Sequence, residues 1–221
     1  EKSYELFKKL ELKSILNRFS QPMQTNQFQA DLQALHDFAE VEAYFAQAEN
    51  ADPIAVECVV EEQNMLGVLL AQETGKGIWI PVENFVTEEY LLEHVKRLLI
   101  QPRKILTLGW KGQLYAFGAV YQEVPVLDLA VACYLLNPLK DTYYYDDVAR
   151  DVLGVTVPSR SELLGKLEIT AMSVEDPAVQ KYLAMKVCVI YAAGQKIESM
   201  LQSKNMLELY RNIECPTIYS L

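Results

Sequence analysis

The chain has 221 residues, 20 basic against 30 acidic side chains and 51% hydrophobic residues, at a mean hydropathy of +0.01. Such a composition excludes disordered, collagenous and coiled-coil chains, and no window approaches the roughly 18 uninterrupted apolar residues of a membrane span. The formal charge of −10 argues against strong stand-alone binding to duplex DNA, because that affinity rests on Lys and Arg neutralising phosphates.

Residues 1–20 place Leu6, Phe7, Leu10, Ile15, Leu16 and Phe19 on one helical stripe interleaved with basic side chains, and 21–28 is a polar linker. Leu32, Leu35, Phe38, Val41, Tyr44 and Phe45 then recur at helical spacing, and Asn50-Ala51-Asp52-Pro53 stops that helix. From Pro53 the period changes. The runs 54–60, 66–71 and 77–82 are short, apolar and separated by turn residues, which predicts an antiparallel three-stranded meander. Thr87 caps a helix with Glu88 and Glu89 in its first turn and Tyr90, Leu91, Val95, Leu98 and Leu99 as its apolar stripe.

A fourth strand is expected near 103–108 and a brief fifth at 124–128. Asp128 caps the helix Leu129–Leu136, which Asn137-Pro138 ends. Helices follow at 145–153, 161–167, 176–203 and 206–213. A meander followed by alternating helices and strands predicts an α/β fold with a mixed sheet of about five strands and flanking helices.

Several features look chemical and have plainer readings. Cys58, Cys133, Cys188 and Cys215 lie far apart in apolar stretches and read as buried thiols, and with His36 and His94 as the available imidazoles no zinc site is expected. Gly75-Lys76-Gly77 lacks phosphate-loop spacing and reads as a turn between strands. Ser159-Arg160-Ser161-Glu162 reads as a helix start, Tyr143-Tyr144-Tyr145 as packing between loop and helix, and Lys96, Arg97, Arg103 and Lys104 as a solvated edge.

The string Leu127-Asp128-Leu129-Ala130-Val131-Ala132-Cys133-Tyr134-Leu135-Leu136-Asn137-Pro138, with Tyr145-Asp146-Asp147-Val148-Ala149-Arg150-Asp151-Val152-Leu153-Gly154 after it, resembles bacterial family A DNA polymerases in their proofreading 3′–5′ exonuclease domain. Residues 3–19 resemble the segment leaving the preceding 5′-nuclease region, and Leu207–Pro216 the start of the polymerase domain. The resemblance implies a ribonuclease H-like fold. It also implies an order of parts: a helical segment at 1–20, a linker at 21–28, an exonuclease-like domain at 29–203 and the start of the polymerase domain at 204–221.

In that family four carboxylates hold two divalent metals at the scissile phosphate. The Asp-x-Glu pair on the first strand matches Glu57-Cys58-Val59, the second motif falls in Leu108–Gln113 without a carboxylate, and the "YAAxD" phrase matches Tyr191-Ala192-Ala193-Gly194-Gln195. The resemblance thus implies a degenerate site at Glu57, Val59, Tyr191 and Gln195, with no catalytic residue, metal or cofactor. The expectation is a non-enzymatic module of a longer cytoplasmic, bacterial DNA-directed DNA polymerase of replication and repair. Its partners would be the polymerase and 5′-nuclease domains of the same polypeptide, with DNA reached through the parent and no membrane. The alternative is an active metal-dependent 3′–5′ exonuclease using relocated acids, Glu57, Glu61 and Asp128.

Overall fold

The computed structural model of the chain describes residues 28–117 and 124–219. The helical segment expected at 1–20, and the linker at 21–28 save for Phe28, lie outside them.

The described part opens with a strand. Residues Asp31–Ala34 form β1, parallel to the later strand that starts at Lys76, with Leu32 opposite Gly77 and Ala34 opposite Trp79. The helix expected from Leu32 begins instead at Phe38: Asp37 caps α1 (Phe38–Ala48) by accepting from Ala39 N at 2.9 Å and Glu40 N at 3.1 Å. Four residues are too few to fix a period, and pairing with an otherwise open sheet edge decides in favour of strand.

The expected meander follows as β2 (Ile54–Glu61), β3 (Asn64–Glu73) and β4 (Lys76–Pro81), antiparallel throughout. Its first turn places Glu62 and Gln63 at φ 48° and 69°, the hand that matches the twist of the flanking strands. Gly75, at φ 79°, makes the second turn, as the plain reading of Gly75-Lys76-Gly77 requires. Helix α2 (Glu88–Leu99) is capped by Thr87 and leads to β5 (Ile105–Thr107), parallel to β2. A short helix α3 (Trp110–Gln113) follows, then β6 (Val126–Asp128), parallel to β5, and α4 (Leu129–Leu136). Among the described residues the sheet therefore has six strands, in the order β1-β4-β3-β2-β5-β6, one more than expected.

Alternation along the strands divides two cores. Val56, Cys58, Leu70, Ile80 and Ile105 face α1 and α2, whereas Ala55, Val59, Leu69, Trp79 and Leu106 face the helices of the second half. Those helices are α4, α5 (Tyr145–Val148, continued by a wider turn to Leu153), α6 (Arg160–Leu164) and the 27-residue α7 (Pro177–Ser203). Helix α6 stops short of the expected Leu167 because Gly165, at φ 61°, breaks it. Its start is the expected one: Ser159 and Glu162 close a capping box.

Helix α7 lies close against the sheet where side chains are small. A Cβ on Gly77 would sit 2.5 Å from Val187 Cγ1, and one on Gly194 would sit 2.5 Å from Leu106 Cδ1. The stretch expected to begin a following domain is helical over Leu207–Leu209, Tyr210–Glu214 and Cys215–Thr217 and packs on β6. There the Tyr210 hydroxyl donates to Val126 O at 3.0 Å and accepts from Asp128 N at 2.7 Å. All four cysteines are buried free thiols.

Candidate functional site

Strands β2 and β5 pair at Ile54–Ile105 and Ala55–Leu106, after which β5 ends at Thr107 while β2 continues. A crevice opens at the carboxyl ends of these parallel strands, the place where α/β sheets commonly bind ligands. Glu57 sits in it, fully buried. Its Oε1 accepts from Thr107 Oγ1 at 2.6 Å, Leu108 N at 2.7 Å and Gln113 Nε2 at 2.9 Å. Gln113 uses its other end as well, accepting from Cys58 N at 2.8 Å through Oε1. The side chain of α3 thereby fills the ladder position that β5 leaves vacant beside β2.

The second carboxylate oxygen, Oε2, faces the ammonium of Lys186 on α7 at 2.7 Å. Burial pulls the Lys186 pKa down, but the charge of Glu57 outweighs that and holds it above the ordinary lysine value. Tyr182, one turn earlier on α7, stands beside Lys186 in the wall of the crevice. Val59 lies on the same face of β2 as Glu57 and is buried.

The other acids are engaged elsewhere. Glu61 accepts from Ile169 N at 3.0 Å, Thr170 N at 3.1 Å and Arg160 Nη2 at 3.3 Å. Burial raises its pKa, and the bonds from Ile169, Thr170 and Arg160 bring it net below the usual carboxylate value. Asp128 accepts from Gly109 N at 3.0 Å, Trp110 N at 2.8 Å and Ala130 N at 2.9 Å, so it caps α4 and pins the start of α3 together. Asp147 is tied by Thr142 Oγ1 at 2.9 Å and Lys140 Nζ at 3.3 Å.

A groove of about 840 Å³ runs from Tyr143 and Tyr144 past Arg160 to Lys186, and a second hollow of about 340 Å³ continues it over Val59, Glu61 and Gln113. Tyr145 is buried in the core, as the packing reading of the three tyrosines requires, while Tyr144 is exposed. Within the basic group, Arg103 donates to the carbonyls of Ala48 at 2.6 Å and Ala51 at 3.1 Å, closing the end of α1, and Lys104 pairs with Glu198. Arg103 and Lys104 are therefore tied to the fold, while Lys96 and Arg97 are exposed as a solvated edge requires.

Of the expected positions, Glu57 and Val59 share the crevice; Tyr191 and Gln195 do not reach it. Tyr191 is buried and Gln195 is exposed. Lys186 and Gln195 are nine residues apart on one helix, about two and a half turns, which puts them on opposite faces. The step of four from a tyrosine recurs at Tyr182-Leu183-Ala184-Met185-Lys186, and this pair lines the site. Gly194 is small because α7 crosses Leu106 there, and Ala193 is buried in the same core. Lys186 was missed although it carried a signal, a lone charge among the buried Leu183, Ala184 and Val187. In the second motif, Gln113 is the residue that meets Glu57.

Two-metal chemistry does not fit these residues. The buried Glu57 is already compensated by an ammonium, and Glu61 on the wall of the hollow is held by Arg160 and two backbone amides. Among the described residues no three or more His, Cys, Asp or Glu are grouped to hold a metal ion.

No family model matches the chain. It is 29% identical over 164 residues to DNA polymerase I of Bacillus subtilis (strain 168), a match covering 70% of this chain and 17% of the relative. The chain resembles bacterial DNA polymerase I. The solved structure of the POL domain of Pol1 from M. smegmatis, in complex with DNA primer-template and dNTP, matches at TM-score 0.60 and 16% identity, covering 85% of this chain and 30% of that one. The catalytic core of RRP6 from Trypanosoma brucei matches at TM-score 0.68 and 13% identity, covering 87% of this chain and 53% of that one. The fold is therefore ribonuclease H-like, of the 3′–5′ exonuclease type, and the DNA polymerase I likeness falls on a small part of that relative's length. Among the described residues no helix is long and apolar enough to cross a membrane.

Proposed function

We propose that this chain is a non-catalytic 3′–5′ exonuclease-like domain of a DNA-directed DNA polymerase related to DNA polymerase I. It serves as a structural module between a 5′-nuclease and a polymerase domain of one cytoplasmic, bacterial polypeptide that acts in replication and repair. The observation that carries this reading is the set Glu57, Gln113, Thr107 and Lys186, in which an amide, a hydroxyl and an ammonium engage the buried Glu57 carboxylate. Contact with DNA is weak or absent for this stretch. Arg160 in the groove is shared between Glu61 and Glu168, and Asp141, Asp146 and Asp147 line the same wall. The active-nuclease alternative finds no support in its three acids, since Glu57, Glu61 and Asp128 each have separate partners.

Digestion of labelled single-stranded DNA with millimolar Mg²⁺ or Mn²⁺ tests the proposal. The expected result is substrate left at full length by wild type. Metal-dependent shortening that Glu57→Gln abolishes would overturn it.

A further inference from the structure

An inactive site needs no cation, because loss of catalysis requires nothing beyond loss of acids. Val59 and Gln113 conform to that, each bringing a neutral side chain to the crevice. Lys186 does something different: it brings a full positive charge to a place where burial opposes any charge. It is the one charge on that face of the helix, beside Tyr182 and among the buried Leu183, Val187 and Ile190.

The two oxygens of Glu57 divide the reason. Oε1 is satisfied by three donors, whereas Oε2 has no hydrogen-bond partner of good geometry among the described residues and faces only the Lys186 ammonium at 2.7 Å. A carboxylate with no solvent contact cannot borrow compensation from water. The ammonium is its whole countercharge.

We infer that Lys186 is the resident cation of this site. Its Nζ supplies Glu57 with the charge compensation a divalent ion would otherwise give, and by holding that place it keeps divalent cations out. A carboxylate at position 186 would turn the same pocket into an acceptor for Mg²⁺ or Mn²⁺. This goes beyond the absence of catalysis, since a site without activity can still bind metal, and its test uses no nuclease readout.

Thermal melts of the whole chain, with and without millimolar Mn²⁺, compare wild type with Lys186→Met, Lys186→Asp and the double variant Glu57→Gln/Lys186→Met. Lys186→Met strands a buried carboxylate and is expected to lower Tm by about 10 °C. The double variant removes both charges and should regain most of that loss. Mn²⁺ should leave the wild-type Tm unmoved and raise that of Lys186→Asp by several degrees in a saturable way, because a ligand of the native state stabilises it by mass action. A double variant as damaged as the single one would overturn the inference, since the loss would then come from packing of the lysine stem. So would a saturable rise of wild type with Mn²⁺, or a Lys186→Asp protein equally unstable with and without the metal.

Discussion

Asp128 separates a structural acid from a catalytic one. Its carboxylate accepts three backbone N–H groups, from Gly109, Trp110 and Ala130 at 2.8–3.0 Å, and is buried. Changing it to alanine removes an N-cap, worth about 1 kcal/mol, and leaves the Gly109 and Trp110 amides without an acceptor at about 1–3 kcal/mol each. Part of this is offset, because burial, countered by those three bonds and assisted by the charge of Glu57, holds the Asp128 pKa above its ordinary value; the ionised form carries a penalty that the variant sheds. The net loss should be about 3 kcal/mol, or roughly 6–12 °C in Tm for a chain of this size. Asparagine keeps one oxygen for Gly109 and Ala130 but turns an NH₂ toward Trp110, and should cost about 1–2 kcal/mol at pH 7. A raised folded pKa means that the acid's contribution is full below the unfolded value near 3.8 and declines as pH rises through the folded one. The gap between wild type and Asp128→Asn should therefore widen as the pH is lowered. Urea denaturation followed by circular dichroism at several pH values measures both. An alanine variant within about 0.5 kcal/mol of wild type would refute the reasoning, since a loss that small is typical of surface sites.

Gly194→Leu should destabilise the chain by about 1–3 kcal/mol or more, because even a Cβ there sits 2.5 Å from Leu106 Cδ1, and a urea midpoint checks it. Gln195→Asp, on the exposed face of α7, should stay within about 0.5 kcal/mol of wild type by the same measurement. Acid should destabilise the chain through Glu61, Asp147 and Glu198. Burial raises each pKa, but bonds from Ile169 and Thr170, from Thr142 and Lys140, and from Lys104 and Arg211 bring each net below its ordinary value. Their contribution is present above the unfolded values of 3.8–4.5 and is lost as pH falls through the lower folded ones, so Glu198→Gln should flatten the decline of stability below pH 4.5.

The meander was legible because Pro53, Gly75 and the other turn residues cut the sequence into apolar runs too short for helices. The caps at Thr87, Asp128 and Ser159 were legible for the same local reason. Strand β1 was not: four residues cannot distinguish two periods, and what settles them is the edge of β4, distant in sequence. The site shows the same division. Glu57 and Val59 followed from the resemblance to the family's Asp-x-Glu pair, whereas choosing between Tyr182 and Tyr191 as the start of the step of four depends on which face of α7 meets β2, a matter of packing. Composition hides that choice, because Ala192-Ala193-Gly194 imitates the family phrase while Gly194 serves close approach of helix to sheet.

The most direct test of a site closed by its own cation is a crystal of the chain soaked in Mn²⁺, with anomalous differences collected around Glu57. The account predicts the Lys186 ammonium at Glu57 Oε2 and no manganese peak in the crevice. Manganese bound to Glu57, with Lys186 swung away into the groove, would contradict it.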